Sequence, residues 1–152
     1  MAGIELSRLA FEFQLAAADG PLQDKWQRLL NVVADFQLVV DQQVLWSESQ
    51  FPVIEFALQL SAWLAESPEL GSFSYDSLES DVPGLIRFDS SAAGWSVSSA
   101  HQPCPSPAIF SEAELCEAAR TYIERVSSSV RHAHGFDPFE GHPSPAGGRG
   151  AA

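Results

Sequence analysis

Three carboxylates, Asp76, Glu79 and Asp81, fall within six residues of one another in the stretch Tyr75-Asp76-Ser77-Leu78-Glu79-Ser80-Asp81. Carboxylates this close can share a proton in general acid–base work or offer oxygens to a divalent cation. The stretch lacks the alternating Asp/Asn pattern and the glycine of a calcium loop, so a solvated acidic turn is the plainer alternative. His132 and His134 lie two apart near the end of a helical pattern, where such side chains point away from each other. A cationic cap on a helix C-terminus accounts for them. His142 follows in a Gly- and Pro-rich stretch, and His101 has neither a cysteine nor a carboxylate at a ligand spacing. Cys104 sits between Pro103 and Pro105 with no cationic neighbour in sequence to lower its thiol pKa. Cys116 falls at the margin of an apolar helix stripe and reads as a small core residue. Together the two cysteines make no metal-type spacing. Ser72, Ser74, Ser77 and Ser80 have no histidine at an identifiable partner position. No G-x-S-x-G, P-loop, dinucleotide fingerprint or H-E-x-x-H occurs. The residue types thus point to no catalytic residue, no metal ligand set and no cofactor.

The elements that must position these residues are clearer. Leu9, Phe11, Phe13 and Leu15 alternate with polar or small residues, the period of a strand with one face on a core. Asp19-Gly20-Pro21 breaks the chain. Leu30, Val32, Ala34, Phe36, Leu38 and Val40 form a second alternating run, and Asp41-Gln42-Gln43 turns it into a short strand at Val44-Leu45-Trp46. Pro52 suits a first helical turn. From there Val53, Phe56, Ala57, Leu60 and Leu64 recur at helical spacing, with Ile54, Leu58 and Trp63 widening the apolar face, until Pro68 and Gly71. Strands are expected over 73–79, 85–89 and 95–100, joined as a meander through Pro83-Gly84 and the turn before Gly94. Pro103, Pro105 and Pro107 hold an extended connector. Ser111 and Glu114 fit a capping box, and Phe110 and Leu115 a hydrophobic staple. Leu115, Ala119, Tyr122, Ile123, Val126 and Val130 then make one apolar stripe. The reading is β-β-β-α-β-β-β-α: an α+β domain over 1–131, with an antiparallel sheet of about six strands and two helices on one face. Residues 135–152 hold five Gly and three Pro, so 132–152 is expected to be a disordered tail.

Charge narrows the function. The chain has 152 residues with 20 acidic against 8 basic, a net charge of −12. Nine acidic and three basic residues fall in 1–66, five and one in 67–102. Tight binding to nucleic acid or to an anionic membrane rests on Lys and Arg neutralising phosphates, and neither suits this balance. No run approaches the length of a membrane span, and the N-terminal stretch has no continuous apolar core of a signal peptide, so a cytoplasmic location is expected. An acidic face steers association with a basic protein. Asp35, Asp76, Glu79 and Asp81 are the candidate contacts on such a face, and Tyr75 and Trp95 the candidate aromatic anchors, unless both rings are core.

Phe73-Ser74-Tyr75 through Glu79, Pro83-Gly84-Leu85-Ile86-Arg87-Phe88 and Gly94-Trp95-Ser96-Val97 resemble small bacterial domains. The order of elements over 9–131, including the helix ending in Trp63-Leu64, resembles the WapI-type immunity proteins of polymorphic toxin systems. The resemblance implies a non-enzymatic protein that neutralises a toxin by binding it, and it carries over no individual residue. The expected function is therefore an acidic binding domain that occludes a basic toxin. The alternative is an enzyme or small-ligand protein with a pocket between sheet and helices, using Asp76, Glu79 or His101. A further alternative is an adaptor whose tail is the active part.

Overall fold

The computed structural model describes residues 7–78, 80–102 and 106–140. The order is β1 (Leu9–Leu15), α1 (Lys25–Asn31), β2 (Val33–Val40), β3 (Gln43–Pro52), α2 (Val53–Leu64), β4 (Phe73–Tyr75), β5 (Ile86–Ser91), β6 (Gly94–Ser98) and α3 (Glu112–His134).

The strands form two antiparallel three-stranded sheets, β1-β2-β3 and β4-β5-β6. This corrects the expectation of one six-stranded sheet carrying two helices. Each meander is local and legible, but whether two meanders share an edge depends on pairing that no periodicity encodes. Instead of an edge they share a core. The Phe56 ring on α2 lies 5.0–6.1 Å from the rings of Phe11, Phe36, Phe51, Phe73, Tyr75 and Tyr122, which come from both sheets and α3. Phe11 of β1 and Phe88 of β5 stack at 6.0 Å, so the sheets also touch directly.

Helix α1 is the element missed. Asp24 Oδ1 accepts from Gln27 N at 2.8 Å, and Gln27 Oε1 accepts from Asp24 N at 3.2 Å, a complete capping box. The helix takes Leu30 and Asn31, which the alternating run assigned to the next strand, and carries the exposed Trp26 (61% accessible). Asp41 and Gln42, both at positive φ, turn β2 into β3, the backbone that a two-residue hairpin needs. β3 is longer than expected and enters α2 at Pro52 without a loop.

Ser111 caps α3 by accepting from Glu114 N at 3.0 Å. Only half of the expected capping box forms there. Glu114 Oε2 instead accepts from Leu9 N at 2.8 Å and covers the free edge of β1. The helix runs through His132 to His134 and ends at Gly135, whose φ of 78° is the left-handed cap conformation. Phe139, beyond it, is buried in the core. Residues 132–140 are thus part of the packed structure rather than tail, and 141–152 lie outside the described residues.

Candidate functional site

The first half of α2 carries one charged residue inside its apolar run, Val53-Ile54-Glu55-Phe56-Ala57. Glu55 is 4% accessible. Its Oε1 accepts from Tyr75 Oη and from Ser77 Oγ, each at 2.7 Å, and its Oε2 accepts from Leu78 N at 2.9 Å. One turn later Gln59 donates from Nε2 to Asp76 O at 3.0 Å and accepts from Asp76 N at 3.3 Å. Positions i and i+4 share a helix face. Two side chains of α2 thereby fix four consecutive residues, 75–78, through five hydrogen bonds. A buried carboxylate carries a large desolvation cost, which only a full set of donors offsets. All three donors come from the segment that leaves β4. Burial, with the Glu55 carboxylate beside it, holds the Tyr75 phenol far above the ordinary tyrosine pKa, so it stays a donor.

Beyond this clamp the chain turns outward. Asp76 Oδ1 accepts from Gly84 N at 2.7 Å and from Ser74 Oγ at 3.1 Å, closing the loop 76–84 at its base. Gly84 sits at a φ of 70°, where a Cβ would meet Arg87 Cδ at 2.9 Å. At the tip Leu78 is 67% accessible, and Val82 is exposed with it. Asp81 is exposed and makes no hydrogen bond or ion pair with the described residues. Residues 75–78 are thus held in place in the free protein, with Leu78 an exposed apolar side chain and Asp76 and Asp81 exposed on either side of it in the chain.

The expected site residues divide as follows. Asp76 and Asp81 belong to this loop, and Glu79 lies outside the described residues. Tyr75 and Trp95 are in the core, so neither is a surface anchor: Tyr75 holds Glu55, and Trp95 packs edge-on against Trp63 at 5.9 Å. Both alternate with exposed or half-buried serines, and the alternation is right while the face is inward. Asp35 lies apart from the loop, exposed on the outer face of the first sheet opposite Gln14, with Glu12 and Gln37 beside it. Among the described residues that face has one paired cation, Arg125, bonded to Glu12 at 2.8 Å. His101 stacks on Trp46 at 6.4 Å. Neither it nor Asp76 lines the cleft of about 450 Å³ between β1 and α3, which Arg8, Glu12, Glu117 and Thr121 border. Cys116 is buried, which pushes its thiol up, and Cys104 and His142 fall outside the described residues.

Glu55 and Gln59 were not found from sequence. The available signal was a pair of polar residues four apart on a helix otherwise apolar on that side. Among the described residues, no group of three His, Cys, Asp or Glu side chains is placed to hold a metal ion. No helix is long and apolar enough to cross a membrane.

A family model described as Domain of unknown function (DUF7878) matches residues 11–132, from β1 to the last turns of α3. No curated protein and no solved structure matches the chain.

Proposed function

The chain belongs to this domain family, and we propose that it is a non-enzymatic acidic binding domain whose loop 76–82 docks into a basic protein partner. The observation that carries the reading is Leu78: a large apolar side chain held out in solvent by a backbone bond to a buried carboxylate. An exposed leucine is ordinary by itself. One whose own segment, residues 75–78, is fixed by five side-chain hydrogen bonds is ready for a partner's pocket, since the ordering cost of that segment is already met in the free protein. Asp76 and Asp81 around it suit a pocket rimmed by Lys and Arg, and the net charge of −12 speeds encounter with such a surface. In its finer form the reading is an immunity protein that occludes a basic toxin.

The test is capture from the source cell with the wild-type protein and with Leu78→Asp and Asp81→Lys as baits, at low and moderate salt, with each fold checked by circular dichroism. A basic protein held at one to one by wild type should weaken about thirtyfold or more against Leu78→Asp, the size of a hot-spot loss. It should associate more slowly as salt rises. A partner that binds both variants like wild type would remove the loop from the interface. For the toxin reading, co-expression with the captured partner should rescue growth, and Leu78→Asp should not.

A further inference from the structure

A recess of about 210 Å³ opens between α1, the start of α2 and the segment 136–140. In a chain with 8 basic against 20 acidic residues, two of the basic ones meet here: Lys25, the chain's single lysine, and Arg28. Arg28 is fixed from two sides. Its Nε donates to Leu22 O at 2.9 Å, and its guanidinium carbon lies 4.6 Å from the centroid of the Phe136 ring. Its two terminal nitrogens have no partner among the described residues, nor does the Lys25 ammonium. Asp137, which also borders the recess, is already paired with Arg131 at 3.1 Å and accepts from Phe139 N at 2.9 Å. Leu29, Ile54 and Phe136 supply apolar walls, and Glu140 stands exposed at the rim.

We infer that this recess binds a small carboxylate carrying an apolar body. A guanidinium with its terminal N–H groups free matches the two oxygens of a carboxylate. Lys25 adds a second positive charge, and the apolar walls take the rest of the molecule. The volume is below that of pockets for drug-sized ligands and corresponds to about seven waters, which suits a molecule the size of benzoate. Free phosphate would leave the walls uncovered, and acetate would fill too little of them. Phe136, Asp137, Pro138 and Glu140, half of the lining, follow the residues that the family model matches.

The experiment is titration of the full chain with benzoate, acetate and inorganic phosphate, read by amide chemical shifts. Benzoate should shift residues 25–29 and 136–140 to saturation, acetate should bind more weakly, and phosphate should leave them in place. Arg28→Gln should weaken benzoate about tenfold, the loss of a charged hydrogen-bonding partner. Lys25→Gln should weaken it several-fold. Glu140→Gln should tighten it, a change in the opposite direction that general loosening of the structure does not produce. Lys25 and Glu140 are exposed, so their variants keep the test alive if Arg28→Gln fails to fold. Shifts that do not saturate, unchanged affinity in all three variants, or phosphate binding as tightly as benzoate would overturn the assignment.

Discussion

Tyr75→Phe removes one donor from Glu55 and changes nothing else of size. The buried carboxylate then keeps Ser77 and Leu78 but faces an apolar ring edge where a hydroxyl stood. The expected cost is about 1.5–3 kcal/mol, the range for a hydrogen bond to a charged group, measured by urea denaturation. The same phenol gives a pH dependence. Tyr75 and Tyr122 are the chain's two tyrosines, and burial raises both above the ordinary value near 10. The folded state therefore keeps its phenolic protons where the unfolded state loses them. Stability from this source is complete below pH about 10 and declines above it, by about 1.4 kcal/mol per pH unit for each tyrosine. Phenolate absorbance should rise together with unfolding, not before it. At this scale the sequence revealed which residues carry charge and which alternate, but not depth. Tyr75 and Asp76 are neighbours on one strand end, and only the fold decides that one is core and the other rim.

At the scale of elements, local rules were legible where a motif is complete within a few residues. The alternation of β1 and β2, the Pro52 helix start, the Ser111 cap and the turn before Gly94 follow from such motifs, whereas the strand expected over 73–79 ends at Tyr75, where Glu55 and Gln59 of α2 take over its backbone and side chains. α1 also has one, Asp24 to Gln27, but its last two residues, Leu30 and Asn31, continue smoothly into the alternation of β2, and the period masked the boundary. β6 shows how a single position can fix an element. Gly94 has a φ of 137°, and a Cβ there would meet Ile109 Cγ2 at 2.7 Å and Phe110 O at 2.9 Å. The close approach allows Trp95 and Phe110 to exchange two backbone hydrogen bonds, at 2.9 and 2.8 Å, which cover the outer edge of β6. Gly94→Ala should cost about 2–4 kcal/mol, from strain at positive φ plus the displaced Phe110 segment. Thermal unfolding checks it. A melting temperature equal to wild type would mean that the 109–110 segment can move aside freely.

For the whole molecule, the decisive fact is that two separate sheets have one interior. Phe56 touches rings from both, so removing it should loosen both together. Phe56→Ala is expected to cost about 3–5 kcal/mol while leaving one unfolding transition by both far-ultraviolet circular dichroism and tryptophan fluorescence. Two transitions would show that the sheets unfold independently. That common interior, and the division into two sheets, were hidden from the sequence because both depend on contacts between residues far apart in the chain.

The packing of the aromatic residues has a practical consequence. Trp46, Trp63 and Trp95 are all buried, and Trp26 alone among the four indoles stands in solvent, next to Lys25. The protein thus carries its own optical label: an aqueous quencher such as iodide reaches one indole and leaves the emission of the other three as an internal standard. Shielding of that single fluorophore would report, without any added dye, whatever settles on the surface of α1.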